Sequence, residues 1–383
     1  MVVAVCAALA GDERDRRDLA GVLGGDPVPA GRFAAGLLAD PHPLVAAGAG
    51  VWVRPARETT RIKQWLAELP AAVDTGGIPA QEEIDRWTAE RTLGLIDRFP
   101  LELTADVVCL LASALATKVS WDVPFDVVDA AALGPGPWSA RLRRVLRPPR
   151  GDPRHRQYLA GTDRAGTVGV HLAGARGGLL VGSVIAADQA VPPGDVLAVA
   201  EEIVAAEARQ RGSVARLSLF DLPLGDGAVW SIGEEQVDTT EPRGLEEQVL
   251  CVLPAWSART DLDLRDDEAL GFAAAARVLG EALELAEWWY DARQAAMARY
   301  SAVGFEAAAV TGLAVRTSAK VSRPGRRRTA TVRFAHPFAV VAAAFDDPRA
   351  ARHASPVHST WHGLPVFSAW VSEPADADPT PPW

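Results

Sequence analysis

The sequence predicts an α+β protein, and three observations support this fold class. Strand-like and helix-like segments occur in separate runs rather than in regular alternation, which argues against a doubly wound parallel sheet. Hydrophobic residues make up 49% of the 383 residues and charged residues 23%, which suits a globular protein with a sizeable core. No uninterrupted apolar run reaches the ~18 residues that a membrane-spanning helix needs, so no such helix is predicted, and the net charge of −10 argues against an anionic-membrane partner.

The elements of the N-terminal part follow from local hydrophobic periodicity. An amphipathic pattern with an exposed Arg/Asp face opens the chain, and a long apolar segment precedes residue 120. The predicted elements are helices over Met1–Gly24, Arg61–Leu69 and Gln81–Asp97, a strand over Val45–Arg54, and a buried strand over Ala105–Val119.

The remaining elements are mostly short strands separated by turn residues. One long Ala-rich segment, Glu268–Arg299, is predicted as a helix from intrinsic propensity. Pro135–Pro153, rich in Gly, Pro and Arg, is expected to be a surface connection, and residues 375–383 a disordered tail. The other elements are a helix over Val196–Arg211 and strands over Thr167–Leu172, Gly178–Ala187, Val214–Leu219, Val229–Ile232, Gln248–Pro254, Thr329–Phe334, Phe338–Ala344 and Pro365–Val371.

Charge, cysteines and the chain start exclude several classes of function. The formal net charge is −10, and a nucleic-acid partner would need clustered Lys and Arg for its phosphates. Cys6, Cys109 and Cys251 lie far apart in apolar stretches, which predicts buried inert thiols. No basic residue precedes the apolar start, so a secretory signal is not expected and the cytoplasm is favoured. An upstream segment carrying an export signal would instead make the protein extracellular.

Two clusters of chemically interesting residues favour ordinary structural roles. His353, His358 and His362 could surround a metal, but Pro356 breaks any helix that would align them, so ordinary loop histidines are favoured. The glycines of Gly174–Gly182 precede a strand-like run rather than a helix, which favours a hairpin turn over a phosphate cradle. We therefore expect no catalytic residue, no metal and no cofactor.

The most unusual segment is Ser301–Val332, which opens with small residues and ends in the basic run Arg323–Arg328. Its low polarity does not suit a solvated linker. One interpretation is a helix that leads into an exposed loop with solvated arginines, which could also bind a polyanion. The other is a strand-competent loop held outside a sheet.

At this segment the sequence resembles the serpin family. Trp121–Asp126 (WDVPFD) is similar to a conserved serpin segment, with Trp121, Pro124 and Phe125, and Ala335–Phe338 (AHPF), with Pro337 and Phe338, is similar to the strand after the reactive loop. Weaker likenesses to serpin patterns occur at Ile84–Trp87 and Leu253–Pro254. The hinge-like residues are Gly304, Phe305, Glu306, Ala307, Ala308, Ala309, Val310 and Thr311.

The resemblance implies a bacterial serpin-like monomer that lacks the family's first helix and strand. It implies one domain over residues 1–374 with three β-sheets, a cluster of helices and an exposed reactive loop at about 303–331. The implied function is suicide inhibition of a serine protease, by cleavage of the loop and its insertion into the central sheet. The alternative is a non-inhibitory binding or structural protein of the same fold.

The bait bond, placed by the family's distance from the hinge, falls at Ser318–Ala319, which suits an elastase-like or subtilisin-like protease. Arg316 or Lys320 as bait would instead imply a trypsin-like target. Alternation along an inserted strand would put the uncharged face of the loop inward, beginning with Phe305. The family usually has Thr or Ser at that position, and an entering ring is expected to slow insertion.

Overall fold

The structure is a computed structural model that describes residues 1–117, 119–209, 214–305, 323–346 and 359–377. The chain forms two compact units. Of the described residues, the first unit contains 1–117, 259–297 and 359–361, and the second contains the others. The α+β prediction is confirmed, with helices and several β-sheets. A single domain over 1–374 stays a prediction.

The elements are numbered along the chain. The first unit contains α1 (Val2–Cys6), α2 (Glu13–Leu23), α3 (Pro27–Ala39), β1 (Ala46–Val53), α4 (Thr60–Glu68), β2 (Val73–Gly76), α5 (Gln81–Arg91), β3 (Cys109–Ala116) and α8 (Phe272–Ala282). The second contains β4 (Val119–Ser120), β5 (Asp126–Asp129), α6 (Pro137–Arg141), β6 (Arg144–Arg147), β7 (His155–Thr162), β8 (Gly166–Ala175), β9 (Leu179–Ala186), α7 (Pro193–Ala208), β10 (Ala215–Arg216), β11 (Gly225–Asp226), β12 (Trp230–Thr239), β13 (Leu245–Val252), β16 (Gly304–Phe305), β17 (Arg323–Arg333), β18 (Phe338–Ala344) and β19 (Pro365–Val371). Strands β14 (Trp256–Asp263) and β15 (Arg293–Tyr300) pair with each other.

The first unit has a three-stranded sheet in the order β2-β1-β3, parallel between β1 and β2 and antiparallel between β1 and β3. Among the described residues, β1 is the only ladder partner of β3, so the other edge of β3 is open. Cys6 and Cys109 are free thiols in the core beneath this sheet. Burial raises the pKa of both and brings Cys109 to about 12, as expected for inert thiols.

The predicted helix over Met1–Gly24 is wrong as a single element. A 3-10 turn at Ala7–Leu9 follows α1, residues 10–12 then separate it from α2, and the Asp12 side chain accepts the Asp15 backbone N–H at 2.7 Å. Such N-caps start a new helix, and Gly24 ends it in the left-handed region at φ 69°. Helix α3, whose N-cap is Asp26, was not predicted from the sequence.

The second unit is built on a six-stranded sheet in the order β10-β7-β8-β9-β18-β19, which packs against α7. Gly182 allows this close packing, because a Cβ there would lie 2.3 Å from Val204 Cγ2. The hairpin between β8 and β9 turns through Gly177 and Gly178, at φ 87° and 106°. The hairpin interpretation of these glycines is therefore confirmed.

Three further predictions need correction. Residues of Glu268–Arg299 form α8 and then the strand β15, because pairing with β14 overrides the helix propensity of the alanines. The expected surface connection Pro135–Pro153 contains α6 and β6, and Leu146 in β6 is fully buried. Ala375–Ala377, expected in the disordered tail, are held by backbone hydrogen bonds to Ala255 and Arg144, while residues 378–383 lie outside the described part.

Candidate functional site

The site is built around a tight turn at residues 301–304, which follows β15. The Ser301 backbone N–H and the Ser301 hydroxyl both donate to the Gly304 carbonyl oxygen, at 3.1 and 2.9 Å. The chain then enters β16, where Gly304 lies opposite Ser120 and Phe305 opposite Val119 in an antiparallel pair with β4. The first two residues of the predicted hinge therefore occupy strand positions.

The segment 121–125 holds the first three residues of this turn. We call these residues, 301–303, the hinge root. The Trp121 indole N–H donates to the Ser301 carbonyl at 2.9 Å, and the Trp121 backbone N–H donates to the Val303 carbonyl at 3.2 Å. The Phe125 backbone N–H donates to the Ala302 carbonyl at 2.8 Å. Every residue of the hinge root thus has a hydrogen bond to the 121–125 segment.

A buried aromatic cluster fixes the position of this segment. Phe125 contacts Trp121 edge-on, with ring centroids 5.7 Å apart, and Tyr300 at the same distance. Phe125 also packs on His155 and His171, at 4.7 and 5.4 Å between ring centroids. Aromatic pairs at such separations contribute ~0.5–1.5 kcal/mol each beyond their buried area.

The two histidines of this cluster form a hydrogen-bonded chain. His155 Nε2 lies 2.8 Å from the Val123 carbonyl oxygen, and His155 Nδ1 lies 3.1 Å from His171 Nε2. Burial lowers the pKa of His155 despite the opposing effect of its bond to Val123. Burial, together with the neighbouring His155, lowers the pKa of His171 well below its usual value. Both rings are therefore neutral at pH 7.

Strand β17, on the far side of the predicted loop, is held between β12 and β13 in a four-stranded sheet. Arg328 donates to Glu234 at 2.8 Å, and this bond holds the Glu234 pKa below its usual range. Arg327 bonds Glu246 at 3.0 Å. The basic run is therefore not a solvated loop, and the predicted loop boundary at 331 is wrong because β17 begins at Arg323.

The remaining predicted site residues fall into two groups. Pro337 precedes β18, and Phe338 is fully buried with its ring 5.0 Å from that of Phe334. Pro124 lies within the 121–125 segment. The residues that lie outside the described part are Glu306, Ala307, Ala308, Ala309, Val310, Thr311, Arg316, Ser318, Ala319 and Lys320.

The C-terminal histidines are only partly within the described residues. His362 Nδ1 accepts the Asp346 backbone N–H at 3.1 Å, whereas His353 and His358 lie outside the described part. No group of three or more metal-ligating side chains occurs among the residues that the structure describes. The described portion of the chain likewise contains no helix long and apolar enough to cross a membrane.

Three neighbours of the hinge root were not predicted from the sequence, namely His155, His171 and Tyr300. His171 stands in an apolar strand, a position where a polar side chain usually needs a buried partner. That signal was available in the sequence. Tyr300 was not identified because the segment before it, Glu268–Arg299, was predicted to be a helix.

Solved structures match almost the whole chain. Human thyroxine-binding globulin matches with a TM-score of 0.57 and 12% identity, over 97% of this chain and 89% of that one. The thermophilic serpin Tengpin in its native state gives 0.58 and 12%, over 97% and 86%. Serpin48 from the insect Tenebrio molitor gives 0.54 and 13%, over 90% and 85%. No protein-family model and no curated protein matches the chain.

Proposed function

Since this chain has the serpin fold, a fold of inhibitors and carriers rather than of enzymes, we propose that it inhibits a serine protease by a suicide mechanism. The protease attacks the loop as a substrate and forms an acyl-enzyme at the bait residue, which we place at Ser318. The cut loop then adds to the sheet as a new strand and carries the protease with it before the acyl bond is hydrolysed. The chain supplies a bait bond and an open strand edge.

The observation that carries the proposal is the pairing of β16 with β4. Gly304 and Phe305 run antiparallel to Ser120 and Val119, and β4 follows β3 after only residues 117 and 118. We infer the register of the inserted strand by continuing this pairing one for one from β4 to the residues of β3. The open edge of β3, noted above for the described residues, is where such a strand would add.

The register assigns a partner to each loop residue in the inserted state. Thr311 would lie opposite Ser113, and Ala309 opposite Leu115. Directly opposed residues of an antiparallel pair share a face of the sheet. Leu115 is 41% exposed, although the residues of β3 on either side of it are buried. An added strand would therefore cover an apolar side chain that is accessible without it.

The sequence of the loop suits such a strand. The residues on the face of Leu115 and Ser113 would be uncharged, and the opposite face would be mostly small. If roughly ten ladder hydrogen bonds each contribute ~1 kcal/mol net, insertion would release on the order of 10 kcal/mol. The residues that would share the face of Leu115 and Ser113 in this register are Phe305, Ala307, Ala309, Thr311, Leu313 and Val315.

The other end of the loop has a fixed attachment. Arg328 is bonded to Glu234 and to the carbonyl oxygens of Leu219 and Leu222, at 2.8 and 2.9 Å for the carbonyls, and its guanidinium lies 4.8 Å from the Phe220 ring centroid. Residues after the bait bond would therefore stay in the four-stranded sheet while those before it insert. This separation of the two new ends opposes religation of the bond.

A non-inhibitory role is the second candidate, and Phe305 favours it. A ring at the entering position is larger than Thr, and overpacking typically costs ~1–3 kcal/mol. Slow insertion would let the protease finish hydrolysis and leave, so the chain would act as a substrate. A binding or structural protein of this fold has no need of fast insertion.

The test is to mix the protein at pH 7.5 with elastase-like, subtilisin-like and trypsin-like proteases and to look for a complex that resists SDS. An elastase-like or subtilisin-like complex, with Ser318 at the new end by mass spectrometry, supports the proposal as stated. A stable complex with a trypsin-like protease would instead indicate that the bait residue is Arg316 or Lys320. Cleavage without any stable complex contradicts inhibition and favours the non-inhibitory role.

A further inference from the structure

An exposed pair of tryptophans lies in the segment between α8 and β15. Trp289 is 68% exposed and Trp288 is 41% exposed, although an indole has a large apolar surface to bury. Neither ring stacks on another aromatic ring or lies under a guanidinium group among the residues that the structure describes. Adjacent exposed apolar side chains can mark an interaction site, and tryptophan is among the residues that contribute most to binding.

The chain on both sides of the pair is fixed, so the two rings are presented on an ordered segment. The Leu285 backbone N–H donates to the Gly280 carbonyl oxygen of α8 at 3.0 Å. Trp288 lies against the same residue, because a Cβ on Gly280 would meet its indole at 2.8 Å. The Tyr290 hydroxyl donates to the Arg265 carbonyl oxygen at 2.7 Å.

The end of α8 carries carboxylates at a place where a helix favours cations. Glu281 lies in the last turn of α8, and Glu287 directly precedes the tryptophan pair. Glu284 follows the helix in the left-handed region at φ 55°, a position where glycine is usual. The C-terminal end of a helix has a partial negative charge, so carboxylates are unfavourable there in the free protein. A cation bound at this place would relieve that repulsion.

These three carboxylates are unpaired within the described part of the chain. All three are exposed, and no ion pair or hydrogen bond joins their side chains to another described residue. Other acidic groups nearby are engaged, since Asp291 lies 3.5 Å from Arg265 Nε and Asp263 lies 2.6 Å from Arg265 Nη2. The sequence 281–291 contains no Lys or Arg. Unpaired negative charge is therefore concentrated beside the exposed rings.

Exposed indoles beside unpaired carboxylates are complementary to a positively charged side chain. A Lys ammonium or an Arg guanidinium is attracted to the face of an aromatic ring, most strongly to that of tryptophan, and a carboxylate neutralises its charge. The same carboxylates repel nucleic acids and anionic lipids, whose phosphates are negative. A second copy of the chain carries the same net charge of −10 and is repelled as a whole.

We propose that Trp288, Trp289, Glu281, Glu284 and Glu287 form a docking patch for a basic peptide segment of a partner protein. A Lys or Arg side chain of the partner stacks on Trp289, which is the more exposed ring. The carboxylates hold the charges of the neighbouring Lys or Arg residues. The patch contains no residue of the loop or of the hinge root, so the proposal does not depend on protease inhibition.

The test is fluorescence anisotropy of a labelled hexapeptide of alternating Lys and Arg, titrated with the intact protein at pH 7.5 without any protease. We expect Trp289→Ala to weaken binding about 3-fold or more and Glu287→Gln about 2-fold. The matched controls are Phe33→Ala, which removes another exposed aromatic ring, and Glu201→Gln, which removes another exposed carboxylate. Both controls should bind like the wild type.

Several results would overturn the proposal. They are no binding of the hexapeptide by the wild type, unchanged binding by Trp289→Ala, or an equal loss in the two controls, which would indicate attraction by the acidic chain as a whole. Analytical ultracentrifugation of the free protein gives a second measurement. A dimer that Trp289→Ala abolishes would identify a second copy as the occupant instead. Binding to phosphatidylcholine vesicles but not to the hexapeptide would identify a lipid surface instead.

Discussion

The register of insertion can be tested with a single new cysteine. Our proposed register continues the pairing of Gly304 with Ser120 one for one along β3, and it would put Val315 directly opposite the native Cys109. In the variant Val315→Cys, the two thiols would meet only after the loop has inserted. Directly opposed Cβ atoms in an antiparallel pair lie ~4.5–5.5 Å apart, which is close enough for a disulfide after small adjustments.

The matched control is Leu313→Cys, whose partner in this register is Leu111. Two residues along a strand correspond to ~6.8 Å, and diagonal neighbours lie ~7–8 Å apart, beyond easy reach of a disulfide. Both variants would be cleaved in the loop, oxidised with diamide and analysed by peptide mass spectrometry. The thiol of Cys109 has a pKa of about 12, so mild base and long oxidation are needed.

We expect a disulfide between the introduced thiol and Cys109 in most molecules of the cleaved Val315→Cys variant, and in under about one tenth of the uncleaved variant or the cleaved control. A disulfide formed equally by Leu313→Cys would show that the register is wrong. If the pairing of the loop with β3 slipped by one residue, the side chains of the other face of the loop would lie on the side of Leu115 and Ser113. Absence of any disulfide to Cys109 after cleavage would refute insertion beside β3.

Three further variants test the same account. Thr311→Arg would add a charge to the uncharged face that the inserted strand shares with Leu115, so we expect the SDS-stable complex to be lost while the loop is still cleaved; a persisting complex would contradict the packing of that face. Phe305→Thr should lower the number of inhibitor molecules needed per protease by about 2-fold or more, and an unchanged or higher ratio would contradict the proposed role of the ring. Trp121→Phe removes the indole donor to the part-buried carbonyl of Ser301 and should destabilise the protein by ~1–3 kcal/mol in urea unfolding, whereas a change under about 0.5 kcal/mol would show that this bond contributes little.

Local sequence patterns correctly predicted the elements whose structure is determined by residues close together in the sequence. The strand β1 and the helix α4 were found within one residue of their bounds, and the β8–β9 hairpin was found from its glycines. In each case, periodicity and turn residues point to the same structure. The fold itself followed from the resemblance, since motifs in family order constrain the topology more than propensity does.

The failures have a common physical cause, which is the dominance of tertiary partners over local propensity. Residues Arg293–Tyr300 are rich in alanine, but β14 supplies a ladder that makes them a strand. The arginines after residue 322 look like a solvated run, but Glu234 and Glu246 stand across the ladder on either side of them. Neither partner can be identified from the segment itself.

The candidate site was predicted in part. The hinge start at Gly304 and the contribution of Trp121 came from short motifs, and the structure brings these residues together. The histidine chain was missed because His155 and His171 are 16 residues apart and meet diagonally across two strands. Their register depends on the β7–β8 pairing, and the sequence analysis had not predicted β7.

The thermal stability of the protein before and after a single cut in the loop tests the central claim most directly. Insertion worth on the order of 10 kcal/mol should raise the unfolding midpoint by at least about 10 °C, since each kcal/mol is worth ~2–4 °C in proteins of moderate size. Differential scanning calorimetry of the intact chain and of the chain nicked at residues 318–319 would give the comparison. A clear upward shift is the result that our account expects. An unchanged or lower midpoint after nicking would contradict it.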